Sequence, residues 1–178
     1  MNREEKKSVE ILIRYFLLLV LSIFAVPVFY FLFSPLTKYP VFYFMDIFYE
    51  AVLVLDSIFI ENYTLEIFGA CIGGSAYVLF LILNLATPGI ENFKRVKMLF
   101  LAFFLFLVIN IVRIIFLGIL FVNGSPYFDI SHKILWYAGS TILVVGLWFF
   151  EVSHFKIKEI PFYSDLKFLY QKSNLKKK

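Results

Sequence analysis

The chain has 178 residues, of which 61% are hydrophobic, 21% aromatic and 17% charged, with a formal net charge of +4. A soluble domain is about 45–50% apolar and about 25% charged, and a disordered chain is poor in the apolar residues that abound here, so both classes are excluded. At about 20 residues per membrane-crossing helix the length accommodates four or five spans. The expected fold class is an all-α polytopic membrane protein with about four transmembrane helices, forming a single integral membrane domain over 1–178. The single cysteine, Cys71, excludes an intramolecular disulfide framework and every CxxC metal or redox motif.

The first apolar run, about 11–33, exceeds the 7–15 residues or so of a signal-peptide core, and no small-x-small cleavage pattern follows, so a retained helix is predicted. The stretch 41–60 is long enough to cross but carries Asp46, Glu50 and Asp56, so its part at about 41–56 is expected to lie along the membrane surface. Asp46, Glu50 and Ser57 share one face at 100° per residue, which predicts an interfacial helix on the outer surface. The β-prone runs on either side of Asn62-Tyr63 predict a small outer β-hairpin before the second span. Further spans are predicted at about 68–86, stopped by Thr87-Pro88-Gly89, and at about 98–122, ended by Asn123-Gly124-Ser125-Pro126. The last is predicted at about 132–150, with Ser131 as its N-cap.

Lysine and arginine orient these helices. Arg3, Lys6, Lys7 and Arg14 near the N-terminus, Lys94, Arg95 and Lys97 in the second loop, and the basic tail 153–178 fall on one side if four spans are present. The other side carries Lys38 and Lys133 against six carboxylates: Asp46, Glu50, Asp56, Glu61, Glu66 and Asp129. The expectation is a multi-pass plasma-membrane protein with both termini in the cytoplasm. The tail is suited to anionic membrane lipids, and no basic patch with the aromatic interleaving of a nucleic-acid site is present.

Arg113 lies well inside the third span, about nine residues from its outer end, or roughly 13 Å by helical rise. An arginine at that depth costs about 2.5–3.5 kcal/mol on insertion scales and is usually paired or functional. Asn110 precedes it by one turn. Cys71 lies a few residues into the second span, with Gly74 and Ser75 on its face, a pattern that fits a substrate groove or a helix-packing seam. His132 opens the fourth span, and the Gly139 and Gly146 below it suggest close packing against a neighbour, whereas His154 falls on the cytoplasmic side.

Topology thus puts one thiol, one buried guanidinium and one imidazole, from three helices, into the outer half of the membrane. A thiol nucleophile needs an electropositive setting or a base, its tetrahedral intermediate a donor for the oxyanion, and the leaving amine a proton. Cys71, Arg113 and His132 match those roles as catalytic candidates. Two other constellations fail. Gly73-Gly74-Ser75 is not the GxSG setting of an intramembrane serine protease, and the outer carboxylates have no His or Cys partner at metal-ligand spacing.

The runs YTLEIFGACIGGSAYVLFLI, INIVRIIFLG and FDISHKILWYAGS, at 63–82, 109–118 and 128–140, resemble the exosortase/archaeosortase family of membrane-embedded cysteine transpeptidases, in a short core version. In that family an Ala-Cys pair opens a helix, an Asn-x-x-Arg follows on the next, and a His or Arg sits at the outer end of the one after. The likeness covers about 57–150, and Ile72-Gly73 stands where members commonly have Ser or Thr followed by Gly. The resemblance implies that Cys71 is the nucleophile, Arg113 the residue that steadies thiolate or oxyanion, and His132 the proton shuttle. It implies surface-protein substrates with a C-terminal transmembrane sorting signal, a thioester intermediate, an amine acceptor such as a lipid headgroup, and no metal or organic cofactor. The alternative is a non-catalytic membrane subunit in which Arg113 pairs with an acidic residue of a partner and Cys71 is packing.

Overall fold

The computed structural model describes residues 3–157, 161–163, 165–167 and 169–170. Lys158, Lys172 and Lys176–Lys178 of the predicted basic tail lie outside the described residues. In chain order the elements are α1 (Arg3–Tyr49), β1 (Val52–Val54), β2 (Ser57–Ile60), β3 (Tyr63–Glu66), α2 (Gly69–Ile72), α3 (Gly74–Ala86), α4 (Asn92–Val122), α5 (Phe128–Ile134), a π-turn (Leu135–Gly139) and α6 (Ser140–His154). Among the described residues three helical stretches are long and apolar enough to cross a membrane: Ser8–Tyr49, Asn92–Val122 and Phe128–His154. The apolar helix α3 has 13 residues, or about 20 Å, against a hydrocarbon layer of about 30 Å.

The first helix differs most from expectation. Instead of a span at 11–33 and a separate interfacial helix at 41–56, α1 runs unbroken for 47 residues, about 70 Å, with Pro27, Pro35 and Pro40 inside it. Each proline leaves a carbonyl one turn earlier without its helical donor. Packing outweighs that loss. Phe33, Thr37, Val41 and Met45 recur every four residues, all buried, and form one stripe against the rest of the protein. The helix ends where Glu50 turns to φ 49°.

Residues 52–66 form a three-stranded antiparallel meander, β1-β2-β3, so β1 and its turn occupy the end of the predicted interfacial helix and the hairpin gains a strand. Both connections have two residues, Leu55-Asp56 and Glu61-Asn62. Leu55 and Glu61 take φ of 56° and 47°, a region that glycine or asparagine enters more easily. Ile58 and Ile60 alternate into the core, both fully buried. Lys38 Nζ donates to Asp56 Oδ1 at 2.5 Å and ties the first turn of the sheet to α1.

The predicted second span, 68–86, is two helices joined at Gly73, whose φ is +75°. Gly74 packs on the backbone of α1, where an added Cβ would stand 3.4 Å from the Val26 carbonyl oxygen, so the small face next to Cys71 is a packing seam. An aromatic stack fills the space between α1, α3 and α4. Phe33 lies flat on Tyr77 at 3.7 Å, and Phe103 and Phe106 meet Tyr77 edge-on at 5.4 and 5.0 Å. Gly73 sits against this stack, and a Cβ there would come within 2.9 Å of Phe106. Gly73→Ala combines a left-handed backbone with that overlap and should destabilise the protein by about 2–4 kcal/mol. The fall in melting temperature of the purified variant measures it; an unchanged melting temperature would mean that the bend tolerates a side chain.

The chain alternates direction, so the sheet and the 123–127 turn lie at one end and the 87–91 turn at the other. At that second end Arg95 donates to the carbonyls of Asn84, Thr87 and Ile90 and closes the C-terminus of α3. Arg14 and Tyr15 of α1 both bond Asp165, which brings the N-terminal helix to the segment after α6. The last helical stretch opens at Phe128 rather than His132. Ser131 is inside it, donating its N–H to Tyr127 O at 3.0 Å, and is not a cap. Gly146 faces open space, whereas a Cβ on Gly139 would stand 3.2 Å from Leu135 of its own helix, so this pair makes no seam with a neighbour.

Candidate active site

A cavity of about 210 Å³ opens at the sheet end of the molecule. Cys71, Arg113 and His132 all line it, brought together from three separate elements, α2, α4 and α5. Its remaining wall is largely apolar, with Leu65, Ile67, Phe68, Ile114, Leu117 and Trp136 among its residues. Cys71 is half-buried with a free thiol. Its placement follows from the short turn α2: Phe68 enters extended, with ψ 175°, and the Cys71 N–H bonds the Phe68 carbonyl at 2.8 Å.

The backbone of Cys71 is gripped from α4. Asn110, 1% exposed, donates Nδ2 to Cys71 O at 2.8 Å and to Ile72 O at 3.4 Å. Arg113 Nη2 reaches the same Cys71 carbonyl at 3.4 Å. Asn110 and Arg113 are three residues apart, hence neighbours on one helical face. That spacing lets both side chains act on one carbonyl of the adjacent helix.

The other half of the guanidinium is held by the last helical stretch. Arg113 Nη1 donates to Ser140 Oγ at 2.6 Å and lies 3.5 Å from Leu135 O. Ser140 Oγ donates to Leu135 O at 3.1 Å, and its N–H bonds the same carbonyl to close the π-turn. The wider π-turn accommodates this convergence on Leu135 O, in keeping with the frequent use of such bulges at functional sites. Ser140 and the Leu135 carbonyl were not among the sequence candidates. A hydroxyl one residue after Gly139 in an apolar run was the available signal. On these two α4 side chains, Arg113 Nε and Asn110 Oδ1 are buried without a partner among the described residues.

His132 lies at the mouth, exposed, stacked on Phe128 at 5.6 Å with ring planes 4° apart and edge-on to Trp136 at 5.8 Å. These two aromatics, one turn to either side, fix the side from which the imidazole meets the cavity. All three line the one cavity, His132 exposed and Arg113 and Cys71 half-buried. Among the described residues no cluster of three or more His, Cys, Asp or Glu side chains could hold a metal ion.

Asn110→Ala removes the shortest of the bonds on Cys71 O and leaves that carbonyl to Arg113 alone. The expected loss is about 1–3 kcal/mol of stability, read as an earlier midpoint in thermal unfolding; an unchanged midpoint would show that the amide does not hold α2. No family model, curated protein or solved structure matches the chain.

Proposed function

We propose that the protein is a membrane-embedded cysteine transpeptidase or protease of exosortase/archaeosortase type. It would cross the plasma membrane four times, α2 and α3 together forming the second crossing, with both termini in the cytoplasm and the cavity facing outside. The observation that supports this best is that the one thiol of the chain, a membrane-buried guanidinium and an imidazole share a single cavity although 61 residues separate Cys71 from His132 in sequence. Random packing of three helices offers no reason to gather these three groups.

In this mechanism the Cys71 thiolate adds to the carbonyl carbon of the scissile peptide beside the sorting tail. Arg113 offsets the negative charge that moves from sulfur to the carbonyl oxygen. His132 takes the thiol proton and returns it to the departing amine as the C–N bond breaks, which releases the tail and leaves a thioester on Cys71. An acceptor amine then adds to the thioester and gives up its proton to His132, the thiolate leaves, and the surface protein is joined to the acceptor by a new amide. A lipid headgroup amine is an acceptor within reach of a cavity at the membrane face.

The subunit alternative draws no comparable support. Arg113, which would have to await a partner's carboxylate, already bonds Ser140 Oγ, Leu135 O and Cys71 O within the chain. The deciding experiment compares the surface proteins of a Cys71→Ala strain with those of the parent. Precursors that keep a C-terminal hydrophobic tail only in the variant would establish sorting and reveal the signature motif. Identical surface proteins at equal levels of the membrane protein would overturn it.

A further inference from the structure

One wall of the cavity is a strand edge. Thr64, Leu65 and Glu66, consecutive residues of β3, all line it, followed by Ile67 and Phe68. Successive side chains of a strand point to opposite faces, so a cavity touched by every residue in turn lies along the edge and not against either face. β3 is an outer strand of the meander, paired on one side only among the described residues.

The register tells which backbone groups that edge presents. The β2–β3 loop has two residues, so the closing pair Ile60–Tyr63 is a hydrogen-bonded pair, and bonded and non-bonded pairs alternate from there. Tyr63 and Leu65 therefore direct their backbone groups at β2. Ile67 continues the series, its N–H on Asp56 O at 2.9 Å. Thr64 and Glu66 turn their N–H and C=O away from β2, toward the cavity. Opposite them stand Phe128, His132, Leu135 and Trp136, which form one helical face at i, i+4, i+7 and i+8. The chain reaches Cys71 five residues after Glu66.

We propose that β3 is the docking edge for an extended peptide, the substrate segment that carries the scissile carbonyl, which adds to Thr64 and Glu66 as a fourth strand and is thereby aligned on Cys71. This deepens the transpeptidase reading and rests on it. Alternating donors and acceptors two residues apart are met by an extended backbone, which offers the same groups at the same spacing, and not by a helix, whose groups are bonded internally. The substrate must therefore be unwound at the cleavage point, and only the part beyond it enters the membrane as a helix. A second copy of this chain is the poorer occupant, because its own β3 is bound into a three-stranded sheet, which a cavity walled by Phe128, His132, Leu135 and Trp136 leaves less room for than a single strand.

The test uses the full chain in detergent and the peptide Thr-Val-Thr-Val-Cys as its 2-thiopyridyl disulfide. The Cys71 thiolate attacks the peptide sulfur, the old S–S bond breaks, and 2-thiopyridine leaves and is read by absorbance. The 2-thiopyridyl disulfide of mercaptoethanol calibrates access to the thiol. Thr64→Pro removes an N–H that the β2–β3 ladder does not use, a substitution that an edge strand tolerates. The peptide-to-mercaptoethanol rate ratio should fall about tenfold in this variant, the worth of a backbone hydrogen bond or two. N-methylation of alternate residues of the peptide should do the same with the protein unaltered. A ratio unchanged by both overturns the proposal, as does a dimer that Thr64→Pro abolishes while peptide capture is unaffected. Amide exchange at Thr64 and Glu66 probes the edge without the thiol: several-fold slowing by saturating peptide is expected, and no slowing overturns docking there. Because none of these readouts involves amide cleavage, edge docking can fail while the Cys71→Ala surface comparison succeeds, and the reverse.

Discussion

Arg113→Gln will slow the maturation of tailed precursors by about 10²–10³-fold, the usual cost of losing one preorganised stabiliser of a developing oxyanion. The guanidinium is held at both ends, by Ser140 Oγ at 2.6 Å on one side and the Cys71 carbonyl at 3.4 Å on the other, so its charge is fixed beside Cys71 without any bound ligand. Glutamine keeps a donor but removes the charge. Arg113→Lys keeps the charge, yet one ammonium cannot serve acceptors on both α2 and the π-turn, and an intermediate loss of about tenfold or more is expected. Pulse–chase of a precursor, with the amount of inserted protein checked in parallel, separates these outcomes. Parental rates for Arg113→Gln would remove the arginine from the chemistry. Loss of the protein itself would instead make it a structural pin between α2, α4 and the last helical stretch.

Cys71→Ala will abolish processing, by about 10³-fold or more, while the protein still folds and inserts. The thiol is half-buried and has no disulfide, and the hydrogen bonds at this residue are made by its N–H and C=O, which alanine retains. Cys71→Ser should be nearly as inactive. Its hydroxyl is far less nucleophilic than a thiolate unless a strong base is set against it, and among the described residues His132 has the rings of Phe128 and Trp136 beside it and no carboxylate ion pair. The fraction of precursor that keeps its tail, measured at steady state in both strains, reads the loss. Normal processing in the alanine variant would reduce Cys71 to packing.

The three candidate residues that line the cavity stood out in the sequence because each is costly or rare where it stands: the only cysteine, an arginine nine residues inside a long apolar run, and a histidine near a helix start. The four-span expectation grouped them at one end. What it could not supply was the framework that joins them. The bond from Arg113 to Ser140 spans 27 residues and depends on a π-turn, which has no periodicity signal of its own. Asn110 was visible as a neighbour of Arg113, but its attachment to the Cys71 carbonyl is a contact between helices.

The fold was legible where apolar periodicity ran unopposed, as in 98–122, and less so where local chemistry and packing disagree. Ser34-Pro35 and Tyr39-Pro40 argue for a break, yet the buried stripe from Phe33 to Met45 carries α1 through both. β1 has three residues and turns on Leu55 in a left-handed conformation, so neither its length nor its turn residues announce a strand. Gly73 fell inside the span expected at 68–86, whereas its φ of +75° ends one helix and starts another. That bend separates Cys71 from α3, on a short turn that α4 can hold by its carbonyls.

The most direct measurement is the mass of the Cys71 peptide from protein isolated rapidly out of cells that overproduce a tailed surface protein. A cysteine transpeptidase will carry an acyl adduct on Cys71 equal to the cleaved substrate, released by neutral hydroxylamine as a thioester must be, and missing from Cys71→Ala. An unmodified Cys71 in cells that are actively removing tails, with removal continuing in Cys71→Ala, would contradict it.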